Sequence, residues 1–466
     1  MRNLLSCRRG SVAFATVVAL VPLIGVVALG AEAGSWYVTR QHAQNAADAA
    51  AISAGIRVAC TISGSGSTVC DQSQDYIYRG KQFAAQNGFC NAGDTAYPGS
   101  TCPSSLPSRA SRSVQIDQGT FAGGTWTSSA GGAFVRAVAS QQQPAYLAAV
   151  LGLSTVNIGA QAIVQVKNPK ELCALGLARW SSSTNAITIG GSSQITGNGC
   201  GLMSNDTVKF NSTPNFSGPN WAVNAVNGCI SNQSLCNSVA HNYSMLPAEN
   251  PLRLLDSQTF NSRTGNTSPL NRVTPCPVGV PADVKNCYTV TPNSSGAGAY
   301  KDLTVTTGDY VIFDIGASTS GTFFFYNAAI KINGGYVKCN CTSTNGVTLV
   351  LLGDSSLSIS GATVELSAPA VNSFSSLLNG VLIDDQALNK TKNAVNINGG
   401  GTVKLGGAMY FPNVDVSYTG TAQNINTTCA EVIANTLTIG GNASYISTQG
   451  CNPNTVAHSQ VIALVH

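Results

Sequence analysis

GSVAFATVVALVPLIGVVALGAEAGSWYVTRQHAQNAADAAAISAGIRV, residues 10–58, divides the chain into a short basic start and a long polar body. Its first 22 residues, Gly10 to Ala31, carry no charge. At ~1.5 Å per residue they make a helix of ~33 Å, enough for a hydrocarbon core of ~30 Å. Arg8 and Arg9 stand just before this span and Glu32 just after it. The excess of positive charge places residues 1–9 in the cytoplasm, residues 10–31 across the membrane and the body outside. Trp36 and Tyr37 follow where interfacial aromatics are expected, and Pro22 can kink a spanning helix without breaking it. Ala31-Glu32-Ala33 has the small-x-small form of a signal-peptide cleavage site. The apolar run exceeds the ~7–15 residues of a signal core, so a retained anchor is expected. Residues 33–58 lack Pro and are rich in Ala and Gln, which extends the helix to about Val58.

Working outward, the body has the composition of β-structure. Charged residues make up 9% of the 466, against about 25% in ordinary soluble proteins. Gly, at 48 residues, takes much of their place, and 43% hydrophobic residues suffice for a packed core. Of 24 Lys and Arg, three precede the span, which leaves 21 against 20 Asp and Glu. A body so close to neutral lacks the footprint of a nucleic-acid binder. Of the 15 cysteines, Cys7 precedes the span and 14 lie beyond it, an even number compatible with seven disulfides in an oxidising compartment. Neighbouring pairs such as Cys60/Cys70, Cys90/Cys102, Cys229/Cys236 and Cys276/Cys287 would close short loops, and the connectivity stays open.

The features Arg9-Gly10, Pro22, Glu32-Ala33-Gly34, Tyr37, Arg40-Gln41 and the run from Gln44 to Ala54 follow one another in an order that resembles the N-terminal region of TadE/TadG-like proteins of the Tad (Flp) pilus assembly system. The stretch Phe134–Val166 also resembles this family and reads as strand, short helix around Pro144–Leu151, and strand. Together the two stretches frame a small α+β membrane-proximal module over residues 32–167. Cleaved pilins carry Glu five residues after the processing Gly; here that position is Ala15, which points to an accessory protein rather than a filament subunit.

From about Leu172 the texture changes to short strands ending in Gly or Asn turns. An apolar-x-apolar pair followed by a small turn occurs at Ile187–Gly191, Ile330–Gly334, Leu357–Gly361, Val395–Gly399 and Leu437–Gly441. Alternation with period two, closed by such turns, is the pattern of half-buried strands. The spacing of these motifs is too irregular for a strict solenoid. The expected fold is therefore mainly β: an irregular β-helix-like ectodomain over 168–466, with a β-sandwich as the alternative. Thr348–Leu352 and Gly401–Leu405 look like neighbouring coil faces, and the Pro-, Asn- and Ser-rich stretch 203–300 reads as a loop-rich insertion.

Candidate chemistry is sparse. Asp354-Ser355-Ser356-Leu357-Ser358 has the Asp-x-Ser-x-Ser form that binds Mg²⁺ in von Willebrand type A domains, but it leads into an alternating strand instead of a helix. Cys339 and Cys341, two apart on a strand, share a face and fit disulfide chemistry better than a metal. Asp384-Asp385 is a paired acid of the kind polysaccharide hydrolases use; a solvated turn is the ordinary reading of such a pair. His42, His241, His458 and His466 form no metal motif, and neither a nucleophile elbow nor a phosphate-binding loop occurs. Gly30-x-x-x-Gly34 could pack on a partner helix, and Glu32 could either pair with a neighbouring subunit or face water. No catalytic, cofactor or metal residue is assigned. The expectation is a non-catalytic, single-pass inner-membrane component of Tad pilus assembly, partnered by other pilus or envelope proteins. A stalk-displayed adhesin contacting cell wall or surface glycans is the alternative, and a polysaccharide-degrading β-helix stands behind both.

Overall fold

The computed structural model describes residues 8–62, 73–94, 96–166, 170–178, 185–191, 193–218, 220–230, 234, 236, 241–243, 247–258, 260, 263–296, 298–387, 394–398, 400–419, 429–441, 444–459 and 462–465. The chain is mainly β and divides into two compact units, the first built from residues 1–62, 71–168 and 462–466 and the second from most of the remainder.

In the first unit the helix expected from Gly10 to about Val58 is one element, α1, Arg8–Ile62, of 55 residues with Pro22 inside it. Its two halves differ in what they bury. Val17, Val18, Leu23, Ile24, Val26 and Val27 are all more than half exposed. Ala43, Ala46, Ala47, Ala50, Ala51, Ala54, Val58 and Ala59 are buried, and their three-and-four spacing draws a stripe along one face. That stripe is the physical content of the QNAADAAAISA run. A ridge of methyl groups lets the helix lie close to a sheet whose facing residues are also small, among them Ala137, Ala139 and Ala162. The sheet contains β1 (Ser111–Ala122), β2 (Thr125–Ser128), β3 (Phe134–Pro144) and β4 (Thr155–Val166), and strand Ile462–Leu464 pairs antiparallel on the edge of β4. A second helix, α2 (Tyr76–Gln86), starts where the Asp75 side chain accepts the Tyr78 N–H at 2.7 Å. Gly80 lets it approach α1, since a Cβ there would lie 2.9 Å from Ile116 and 3.3 Å from the Ala50 carbonyl.

The second unit is a parallel β-helix with three strand faces. The first face stacks Leu303–Thr306, Ala329–Asn333, Ser356–Ser360 and Val395–Asn398, then the ends of Val403–Thr419 and Ala430–Gly440, then Asn185–Ile189 and Thr207–Phe210. All five apolar-x-apolar motifs lie on this face. Their side chains form two inward columns: Leu303, Ile330, Leu357, Val395, Val416, Leu437, Ile187 and Val208 in one, and Val305, Ile332, Ile359, Ile397, Tyr418, Ile439, Ile189 and Phe210 in the other. Gly191 and Gly441 close two of the motifs with φ of +70° and +84°, where a side chain would be strained. The second face includes Ser320–Tyr326, Gly346–Leu352, Val381–Asp385, Glu171–Gly176 and Gly201–Ser204. The third includes Asn286–Val290, Asp309–Phe313, Tyr336–Cys339 and Thr363–Ser367.

The coils are not stacked in chain order. The last one, Ala430–Gly440, pairs with the first, Glu171–Gly176 and Asn185–Ile189. The chain therefore enters mid-stack, builds outward through Gly201–Ser204 and Ala222–Ala225, and must cross to the opposite end before winding back. Residues 247–258, with Phe260 and Arg263 beyond them, make that crossing as a strap over the second face, sealing a second core of Met203, Ala248, Leu252, Leu255, Phe324, Val350 and Tyr410. The strap is pinned at one end by reciprocal bonds between Asn205 and the Ala248 backbone, 2.8 and 2.9 Å. At the other, Arg263 stacks 3.8 Å from the Phe324 ring centre and donates to the Asn293 and Ser294 carbonyls. The stretch read as an insertion thus contains short coil strands as well as the strap; runs of two to four residues are too brief for alternation to show.

Six disulfides are described: Cys90–Cys102, Cys173–Cys200, Cys229–Cys236, Cys276–Cys287, Cys339–Cys341 and Cys429–Cys451. Three are the expected neighbouring pairs. The expected Cys60/Cys70 bridge lies outside the described residues.

Candidate functional site

Two places gather polar groups in a way packing alone does not require. The first is in the α+β unit. Glu32, the first charged residue after the apolar span, turns its carboxylate to the loop between β3 and β4. One oxygen accepts the Tyr146 N–H at 2.7 Å, and the other accepts those of Leu147 and Ala148 at 3.1 and 2.9 Å. Three successive amides converge there because residues 145–148 turn into the short 3₁₀ segment Ala148–Leu151, whose first N–H groups lack partners of their own. Glu32 is thus engaged within its own unit, and neither a free carboxylate nor an intersubunit pair is needed to account for it.

The second place lies beneath the strap of the β-helix. Tyr410, fully buried, donates its hydroxyl proton to Asp256 at 2.6 Å and accepts from the Asn250 amide at 2.7 Å, so both partners are strap residues. Gln386 donates to the Leu255 carbonyl at 2.9 Å and to Asp384 at 3.1 Å. Burial pushes the Asp384 carboxyl up to about 8, with the Gln386 bond pulling it back and Asp385 and Asp256 adding to the rise. Burial likewise raises Asp256, against the Tyr410 bond that lowers it. Glu431, also fully buried, is pushed up to about 8 by desolvation, against a bond from the Ala457 N–H. One oxygen each of Asp384, Asp385 and Glu431 has no hydrogen-bond partner within the described residues, so nothing there offsets the desolvation that raises these groups.

The residues singled out in the sequence fare unequally. Asp384 and Asp385 do not act as a pair. Asp384 is in register with Val350 and Tyr410 of the outer core, and Asp385 with Leu351, which faces the lumen, because successive strand residues point to opposite sides. Burial raises Asp385 to about 7. Nor is the pair a solvated turn, since both are strand residues with no exposure. Asp354 and Ser355 form the turn between Gly346–Leu352 and Ser356–Ser360; Ser355 is buried and donates to the Leu352 carbonyl at 2.7 Å. Cys339 and Cys341 are joined to each other. Among the described residues no group of three His, Cys, Asp or Glu is placed to hold a metal ion. His42 is exposed on α1, while His458 is partly buried and lowered by burial. Only the backbone of His241 is described, and His466 lies outside the described residues. The sequence reading missed Tyr410, Asp256 and Glu431. Glu431 had a signal, a lone acid in the apolar run Ala430–Ala434; Tyr410 and Asp256 had none, because 154 residues separate them.

A helix with an exposed apolar head and an alanine stripe laid on an antiparallel sheet, followed by a β-helix, defines a protein whose first unit is specialised around one long helix. That unit is what the comparisons identify. Residues 10–57 match the family described as Flp pilus-assembly TadE/G-like, and residues 63–163 match the Tad-like Flp pilus-assembly family. Over roughly its first third the chain is therefore similar to TadE/TadG-like proteins of the Tad pilus system, and neither match extends beyond residue 163. No curated protein and no solved structure matches it.

Proposed function

We propose that the chain is a single-pass, non-catalytic component of Tad pilus assembly, held in the inner membrane by α1 with its N-terminus in the cytoplasm and its β-helix outside. The observation that carries this reading is the division of α1. Its first half exposes Val, Leu and Ile side chains that water solvates poorly, and its second half is the buried keystone of the family-matched unit. The flanking Arg8, Arg9 and Glu32 support the orientation, and the disulfide-rich second unit supports an oxidising compartment. The non-catalytic reading draws on the burial and divergence of the acids. Partners are other Tad pilus components, reached by the outer faces of the β-helix. The test is an in-frame deletion with pili counted by electron microscopy. The strain should lose its pili, and both the full chain and the Asp354→Asn, Asp384→Asn, Asp385→Asn triple variant should restore them. Normal piliation in the deletion strain would overturn the assembly role. A stable, folded triple variant that fails to restore pili would overturn the non-catalytic reading.

A further inference from the structure

The loop between β3 and β4 has an unusual surface. Residues 137–166 contain no charged side chain, and the loop within them reads PAYLAAVLGLS over 144–154. Tyr146 is 76% exposed, Leu153 51% and Leu147 38%, so large apolar groups face outward from a turn that ordinary solvated loops fill with polar residues. Its position along α1 is given by two contacts. Gln143 meets Thr39 at 3.5 Å, and the amides of residues 146–148 meet Glu32. Over a few loop residues the contact point moves seven helix residues toward the N-terminus, or ~10 Å at the standard rise. The loop thus advances toward the apolar span and stops at Glu32, the residue directly after it, with Trp36 and Tyr37 about one helical turn further on; Tyr37 is 65% exposed.

We propose that the β3–β4 loop is a second membrane contact, with Tyr146, Leu147 and Leu153 resting in the lipid–water interface beside the exit of α1 and Glu32 holding the loop at that level. This rests on the anchored reading of α1. The bilayer is the occupant because the loop 144–154 carries no charged side chain and meets α1 at Glu32, directly after the exposed apolar residues of the span. An exposed Tyr beside Leu suits an interface where one end of the ring is apolar and the other wet. Glu32 fits the same setting. A carboxylate near lipid is costly to desolvate unless donors surround it, and three backbone N–H groups do so here. Two contacts at one level would restrict the tilt of α1 as well as its depth.

The full chain in phosphatidylethanolamine/phosphatidylglycerol liposomes, carrying a benzophenone amino acid at one position at a time, tests this by the mass of the photo-adduct. Position 23 lies in the span, positions 146 and 153 in the loop, and position 128 at the far end of the same sheet. Lipid adducts are expected at 23, 146 and 153 and not at 128, and Glu32→Ala should lose the adducts at 146 and 153 while keeping that at 23. Adducts at 23 with none at 146 or 153, or protein adducts in their place, would overturn the loop contact and leave the anchor standing. No lipid adduct at 23 would overturn the anchor, and the loop contact with it.

Discussion

Replacing Tyr410 with Phe removes one hydroxyl from the β-helix and should loosen the strap selectively. The ring stays buried among Leu255, Val350 and Ile433, so packing is nearly conserved. What is lost is the bond to Asp256 at 2.6 Å and the bond from Asn250 at 2.7 Å. An oxygen of the partly buried Asp256 carboxyl and the Asn250 NH2 lose these bonds, while Asn250 Oδ1 keeps the Leu252 N–H, and each lost partner is worth about 1–3 kcal/mol when desolvated. Some water reaches a strap that has opened, so the net cost is about 2–3 kcal/mol, roughly a 30- to 150-fold larger opening constant. Hydrogen exchange followed by mass spectrometry reads this directly, with disulfides intact during labelling. Amides of 247–258 should exchange faster by that factor, and those of Gly346–Leu352 underneath should change little. Unchanged strap exchange, or an equal rise throughout the β-helix, would refute the view that Tyr410 clamps a locally opening element. The substitution also removes a bond that lowers Asp256, so that carboxyl should titrate higher still.

Other consequences follow from the same packing. Asp384, Asp385 and Glu431 keep protons in the folded chain that the unfolded chain releases above the usual carboxyl range near 4. Their stabilisation is complete below that range and lost as pH rises to about 8, so the urea midpoint of the β-helix by circular dichroism should fall from pH 5 to pH 8. Glu431→Gln should flatten that slope, and a midpoint that rises over the window would contradict it. Ala50→Leu should overpack the helix–sheet contact by about 1–3 kcal/mol and lower the melting temperature of the first unit, whereas the same change at exposed His42 should not. Six described disulfides account for 12 of 15 cysteines, so maleimide should label at most Cys7, Cys60 and Cys70 in denatured, unreduced protein. Labelling at Cys173 or Cys429 would break the framework.

Legibility in the sequence followed the range of the interactions. The helix to Val58, the strand–short helix–strand order of Phe134–Val166 and the apolar-x-apolar strands are written in local composition and pattern, and each reappears in the fold. The β-helix could be suspected from those motifs, but their uneven spacing hid the reason. Ile187 stacks on Leu437, so neighbours in the column are 250 residues apart in the chain. No window analysis detects a stack entered in its middle. The strap was equally hidden, since its Leu252 and Leu255 gain meaning only once the second face exists. Glu32 was noticed for its place after the span, yet its partners lie 114 to 116 residues away in a loop with no charge to pair with it. Asp384-Asp385 misled for the opposite reason: adjacency in sequence is divergence on a strand.

The central claim is that one chain crosses the membrane once through α1 and carries its β-helix outside. Protease shaving of spheroplasts producing the full chain, with an epitope at each end, tests it most directly. External protease should remove the C-terminal epitope before lysis. The N-terminal epitope should stay protected, on a fragment that remains in the membrane after alkaline carbonate washing. A C-terminal epitope protected until lysis, or an N-terminal fragment released by carbonate, would contradict the account.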